Sequence, residues 1–343
     1  MRVLGEADVE RLIEPLEAID AAALDFRLQA EGAASLARAD LRQEAPKAGC
    51  LLLAGGRGGE RLSVKSNVHA HPEAHVEGAD GTSDGTPPPP RIWGSLLTLW
   101  DWRRATPRAL LSARAFNEHR TAAGFAAAAR ALAPAEVEGL ALFGAGKSAP
   151  LAAAYLKLAR PSIRRVFLQG RAPERVAALR ARLAARPDFA GVELVTNASP
   201  REAAAACGVV ATVTTSDDPV FPGEAARPGA CVILGGANRP TAREADDALM
   251  RRADVYLDAR EGALAKAGDL ALALASGALE PARVRGEIGA HLDGPAPLTP
   301  GCDVLVFKSM GLAAQDLVLA ERLVARAEAL GLGTVIDLEG PAA

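Results

Sequence analysis

The stretch Leu140-Ala-Leu-Phe-Gly-Ala-Gly-Lys-Ser-Ala149 constrains this chain more than any other. A short apolar run ends at Gly144, a second glycine follows at Gly146, and a small residue stands at Ala149; an alanine-rich, helix-forming segment then runs to about Arg160. A strand–turn–helix unit that seats a dinucleotide pyrophosphate needs this order. Gly144 permits the tight turn, Gly146 lets backbone approach phosphate, and Ala149 allows close packing of helix on strand. The free N–H groups of the helix start, with the positive end of its dipole, then hold the anion. A lone G-x-G-x-x-A is weak by itself, but the strand before it and the helix after it are the context the motif requires. Gly144, Gly146, Lys147 and Ser148 are therefore candidate cofactor contacts; Lys147 either adds charge near the pyrophosphate or points to solvent.

Around this unit the middle of the chain alternates. Strands are expected at Leu140–Phe143, Arg165–Leu168, Val192–Val195, Val209–Thr214, Cys231–Leu234 and Val255–Leu257, with alanine-rich helical patterns between several of them. Such alternation predicts a doubly wound parallel sheet. A chain of 343 residues has room for a second domain with its own core. The expected architecture is an α/β Rossmann domain over 120–303, inserted in an α+β substrate-binding and dimerisation domain made of 1–119 and 304–343.

In the outer part, Asp8 to about Ala39 reads as helical, from apolar residues at spacings of three and four. Cys50–Ala54 reads as a strand ending in the glycine-rich turn Gly55–Gly59. Arg61–Val68 alternates, with Leu62, Val64, Ser66 and Val68 on one face and Lys65 on the other. Gly78–Pro90 is of low complexity and reads as a surface loop. Ile92–Trp102 and Ala109–Ala115 read as strands, Val304–Lys308 as another, and Ala313–Leu330 as a long amphipathic helix returning to the first domain.

Composition excludes several classes. A net charge of −3 gives no electrostatic reason to expect nucleic acid. The charged start does not suit a signal peptide, and no apolar run approaches the ~20 residues of a membrane span. The four cysteines are far apart and mostly inside apolar runs, which suits buried thiols in a reducing cytoplasm. His69, His71 and His75, with Glu73 and Glu77 nearby, are read as a solvated or substrate-pocket loop, and no metal is expected. Trp93, Trp100 and Trp102 are read as core or dimer-interface packing.

Taken in order, Arg120-Thr-Ala-Ala, Gly144-Ala-Gly-Lys-Ser-Ala, Thr214-Thr-Ser-Asp-Asp-Pro-Val220, Gly236-Ala-Asn-Arg-Pro-Thr-Ala-Arg-Glu244, Ala267-Gly-Asp-Leu270 and Phe307-Lys-Ser-Met-Gly-Leu-Ala-Ala-Gln-Asp316 make the chain resemble the ornithine cyclodeaminase/μ-crystallin family. Residues Gly78 to Trp102 match it poorly. The resemblance implies a homodimer and NAD(P)-dependent chemistry on a small imino or amino acid, or on a 2-oxo acid plus an amine. It also implies a carboxylate clamp of two arginines and a lysine, here Arg42, Lys65 and Arg120, with Arg38 close to the first. Fixing an α-carboxylate in such a fork turns the neighbouring carbon toward the nicotinamide. Lys65 is also a candidate proton donor or acceptor at nitrogen.

Further candidate cofactor contacts are Thr121, Thr214, Thr215 and Lys308. At the end of the second Rossmann strand, where NAD-selective sites carry an acid, stand Gln169 and Arg171; NADP(H) is expected to be preferred, with NAD(H) possible if Arg171 only stacks on adenine. Asn238 stands where ornithine cyclodeaminase has an aspartate. An amide is no base, so reduction of an imine, or its reverse, is favoured over cyclodeamination. A non-catalytic, cofactor-dependent binding protein is the alternative outside the enzymes.

Overall fold

The computed structural model describes residues 1–43, 48–70, 92–295, 297–311 and 313–338. They fall into two compact units: Met1–Glu14, Gly32–Asn117 and Ala313–Ala343 form one, and Pro15–Glu31 with Glu118–Leu312 the other. No helix among the described residues is long and apolar enough to cross a membrane.

The first unit is built on a seven-stranded sheet. Its strands are β1 (Arg2–Leu4), β2 (Ala34–Gln43), β3 (Ala48–Arg57), β4 (Arg61–Ala70), β5 (Ile92–Asp101), β6 (Thr106–Ser112) and β15 (Thr334–Val335), in the order β15-β1-β6-β5-β4-β3-β2. From β2 to β6 the neighbours are antiparallel, so directly paired residues share a face. The helix Leu317–Leu330 packs on this sheet, tied to it where Arg57 and Arg61 each stand 3.2 Å from Glu321.

Two local expectations fail here. The helical pattern to Ala39 breaks into α1 (Glu6–Leu12) and α2 (Pro15–Ala30), and Ala34–Gln43 is strand β2. Pro15 cannot continue the helix before it, and Gly32, at φ 70°, ends the second. The remainder is drawn into the sheet by its register with β3, a tertiary contact that overrides local propensity. Nor does the first glycine run turn the chain at Gly55. β3 continues to Arg57, with the Trp102 ring lying where a Gly56 side chain would stand, and the turn falls at Gly58 and Gly59.

The second unit carries eight strands: β7 (Gly139–Phe143), β8 (Arg165–Gln169), β9 (Glu193–Val195), β10 (Val209–Thr212), β11 (Cys231–Leu234), β12 (Ala253–Leu257), β13 (Val284–Glu287) and β14 (Val304–Lys308). Their order is β13-β12-β14-β11-β10-β7-β8-β9 and every pairing is parallel. This is the doubly wound α/β sheet: from β7 the chain runs outward through β8 and β9 to one edge, then returns to β10 and β11 on its other side. β7, β10, β11 and β14 are buried throughout, as strands covered on both faces must be.

The unit boundaries differ from the expected ones at two places, and one strand is new. The strand Val304–Lys308, expected with the first domain, is β14 between β12 and β11. Val284–Glu287 is a further strand not anticipated. The early helix α2 packs with the second unit, where Phe26 meets Phe307 edge-on with ring centroids 5.8 Å apart. Nothing local marks either exchange: an apolar strand or an amphipathic helix serves any core that will take it.

Candidate active site

Ligands of an open α/β sheet sit outside the carboxyl ends of its strands, where the strand order reverses. There, at the ends of β7, β8 and β10, lies a cavity of about 540 Å³. Gly144 and Gly146 form its floor, Gln169, Gly170, Arg171 and Arg175 one wall, and Val213 to Ser216 the other. Gly144 has φ 115°, and a Cβ on it would stand 2.6 Å from the Val213 carbonyl oxygen, so only glycine fits. A Cβ on Gly146 would meet no atom within 4 Å, which leaves the backbone open for a bound group to approach. The turn opens α4 (Ala149–Ala159), whose N-cap Ser148 makes no side-chain cap. The helix start is thus left to offer its N–H groups to an anion.

The expected cofactor residues divide. Gly144, Gly146, Gln169, Arg171, Thr214 and Thr215 line the cavity. The amide of Gln169 donates to the Ala198 carbonyl at 3.0 Å and is nearly buried, so it braces the wall. Arg175, one turn into the helix α5 (Pro173–Ala184), also faces the cavity, and no carboxylate is among the lining residues. Sequence reading missed Arg175 because it looks like one more arginine of a solvated helix. Lys147 is an exposed cation paired with Glu118. Thr121 is half-buried in α3 (Arg114–Leu132).

Lys308 is placed differently from the expectation. It is wholly buried, and its ammonium donates to Asp269 at 2.8 Å and to the Ala237 carbonyl. Asp269 accepts the N–H groups of Glu244 and Ala245 at 2.6 and 3.0 Å; Glu244, also buried, accepts those of Gly236, Ala237 and Thr214. The Thr214 hydroxyl turns inward to Glu244 as well, at 2.8 Å. Lys308 therefore anchors the loop at 236–244, and through Glu244 the cavity wall at Thr214. Asn238, on that loop, is exposed.

Arg120 lies half-buried in α3. A side chain at Gly311 would come within 3.1 Å of its guanidinium, and Gly311, at φ 78°, takes a conformation suited to glycine. Asp258 fixes that backbone by accepting the N–H groups of Met310 and Gly311 at 2.6 and 2.7 Å. Burial raises the Asp258 carboxyl above its ordinary range, against the pull of those hydrogen bonds. Next to Arg120, His119 Nδ1 stands 2.7 Å from the Tyr155 hydroxyl, and burial lowers the imidazole to about 4. Burial likewise pushes the thiols of Cys207 and Cys231 up to about 12, so neither is a nucleophile.

In the first unit, Lys65 is 1% exposed in mid-β4, and its Nζ donates to Asp316 Oδ1 at 2.7 Å. Its strand neighbours are Leu53 on β3 and Leu97 on β5. The alternation of β4 is as expected, but the side carrying Ser63 and Lys65 is the buried one, while Val68 is 47% exposed. Register also decides between the two candidate arginines of β2. Arg38 pairs with Leu53, and so stands in one row with Lys65, about 10 Å away across two strand spacings. Arg42 pairs with Gly49 in the row of His69, about 13 Å further along the strand. Its backbone place in β2 is described; its side chain lies outside the described residues, as do His71, His75, Glu73 and Glu77. Among the described residues no group of three metal-ligating side chains occurs.

The sequence profile of the ornithine cyclodeaminase/mu-crystallin family matches residues 90–330. The chain belongs to that family. It is 33% identical over 233 residues to a Delta(1)-pyrroline-2-carboxylate reductase of Paracoccus denitrificans, covering 67% of this chain and 72% of that protein. To the ketimine reductase mu-crystallin of Mus musculus it is 40% identical over 124 residues, 36% of this chain and 37% of the mouse protein. The alignment thus spans little more than a third of that relative's length. The Delta(1)-pyrroline-2-carboxylate reductase of Thermococcus litoralis, solved with NADH and L-proline, has the same fold, with a TM-score of 0.83 at 24% identity over 98% of this chain and 100% of that one.

Proposed function

We propose that this family member is a nicotinamide-dependent reductase acting on the C–N bond of a small cyclic or N-substituted 2-imino acid, with NADP(H) preferred. The carrying observation is the cavity beyond Gly144 and Gly146, which has two arginines and no carboxylate in its lining. An adenosine 2′-phosphate would find cations where an NAD-selective site offers an acid. Relatives named as imine reductases support the reaction class.

A bound reduced nicotinamide would supply a hydride to the imine carbon. In this reading Arg120 and Arg38 take the substrate carboxylate, Arg38 in preference to Arg42 because of its row. Lys65 gives the proton to nitrogen. Asn238 has no carboxylate to activate water, so cyclodeamination remains the lesser reading. A homodimer is part of the proposal: Leu41, Val68 and Leu96 are 59%, 47% and 49% exposed on one face of the first unit's sheet, apolar surface that a second copy would cover. Sedimentation at a monomer's mass would count against it.

The deciding assay follows NADPH absorbance with cyclic 2-imino acids, and with 2-oxo acids plus methylamine. Turnover with kcat/KM for NADPH at least about tenfold above NADH is expected, with Arg171→Ala and Arg175→Ala each eroding the preference. A clear NADH preference overturns the cofactor reading, and tight NADPH binding without turnover favours a binding protein.

A further inference from the structure

Asp316 ends a short 3-10 turn and stands at the N-cap of the helix Leu317–Leu330. Aspartate is among the best capping residues because its carboxylate accepts the helix's first free N–H groups. Here it makes no such bond. The carboxylate is instead turned into the sheet, where Lys65 Nζ donates to Oδ1 at 2.7 Å and stands 2.6 Å from Oδ2. Both side chains are buried, at 0% and 1% exposure.

The seat of this helix does not rest on this pair alone. The same helix is already tied to the unit by Arg57 and Arg61 at Glu321, by Arg108 at Glu328, 2.9 Å apart, and by Arg326 at the Leu12 carbonyl, 2.8 Å away. Between Leu53 and Leu97 an apolar residue would pack without the desolvation that a buried ion pair suffers. A helix cap foregone and two charges taken from water point to a task for the lysine.

We propose that Asp316 is the positioning residue for Lys65 in imine reduction, an inference that rests on the function proposed above. Its carboxylate holds the ammonium at one point and in one orientation on the sheet. As the nicotinamide hydride adds to the imine carbon, an N–H bond of Lys65 breaks and a new one forms on the substrate nitrogen. The C=N bond is reduced to an amine, the nicotinamide is oxidised, and the neutral lysine regains its proton from water. As a positioning residue, Asp316 acts through Lys65.

A double-mutant cycle on the full chain tests this, with NADPH and the best cyclic 2-imino acid as substrates. Asp316→Asn is expected to lower kcat by about 100-fold, with the imine KM and the NADPH Kd changed by no more than about threefold. Asp316→Glu recovers part of the loss. In a Lys65→Met background the further change Asp316→Asn costs less than about threefold, since the group it acts through is gone. Losses that multiply in the double variant, or an Asp316→Asn enzyme with wild-type kcat, overturn the proposal. If Asp316→Asn no longer binds NADPH, the chain has not folded and Asp316→Glu decides: a folded Glu variant as inactive as Lys65→Met, or one fully active with losses still multiplying in its own Lys65→Met double, overturns it, and partial activity that vanishes only with Lys65 supports it. A wild-type protein inert toward every imine removes the functional reading, and this one with it; an active wild type with multiplying losses removes only this one.

Discussion

Lys65 and Lys308 are both wholly buried strand lysines, each bonded to an aspartate, yet the two pairs are embedded differently. Lys308 is held by a side chain and a backbone carbonyl, and its partner Asp269 is itself bonded to two backbone N–H groups. The whole cluster staples a loop and the cavity wall beside it. Lys65 sits in mid-strand between leucines, in a row that ends at the exposed Arg38, and its partner Asp316 leaves its own helix uncapped to reach it. Lys308 is thus woven into backbone, and on the function proposed above Lys65 is the one that does chemistry.

The largest effects should come from removing each lysine. Lys65→Met is expected to lower kcat/KM by about 1,000-fold while NADPH affinity, measured by calorimetry, stays near wild type. Lys308→Met should leave turnover by the folded fraction near wild type, while both changes, each breaking a buried pair, should destabilise the protein by about 3–5 kcal/mol in denaturant unfolding. A folded Lys308→Met protein as inactive as Lys65→Met would erase the distinction.

His119 extends the comparison within the second unit, as a half-buried polar group whose charged form burial disfavours. Its folded value of about 4 lies below the ordinary 6.5, so between those values the unfolded chain binds the extra proton. Stability fully present above pH 6.5 should therefore fall as pH drops toward 4, by up to about 3 kcal/mol. Denaturant midpoints at pH 7 and 4.5 should show a smaller drop for His119→Gln than for wild type. Equal drops would mean that His119 is not what the acid finds.

Smaller, and aimed at the row of Lys65, is the choice between the two β2 arginines. Arg38→Ala should raise KM for the imino acid by about 10- to 30-fold, a loss typical of a charged hydrogen bond, and Arg42→Ala by less than about threefold. The reverse ranking would show that the clamp does not follow the register.

Much of the second unit was legible along the chain. β7, β8, β10, β11 and β14 are continuous apolar runs separated by helical patterns, and the glycines at the end of β7 need only their immediate neighbours to be understood. The first unit was read less well. Ala34–Gln43 carries an alanine-rich pattern that either periodicity accepts, and pairing with β3 decided for strand. Gln169 was noticed for the right place, but its amide turned out to face Ala198, and Arg175 was hidden in a helix full of arginines.

The sequence by itself determined the family, the parallel sheet and the dinucleotide turn, because those depend on residues a few places apart whose apolar period and glycine positions are local signals. Only the tertiary structure decided that Lys65 answers to Asp316, 251 residues away, that Arg38 rather than Arg42 shares its row, and that Lys308 faces inward. Register and burial arise when distant segments pair, and a side chain's partner across such a distance leaves no mark on the residues beside it.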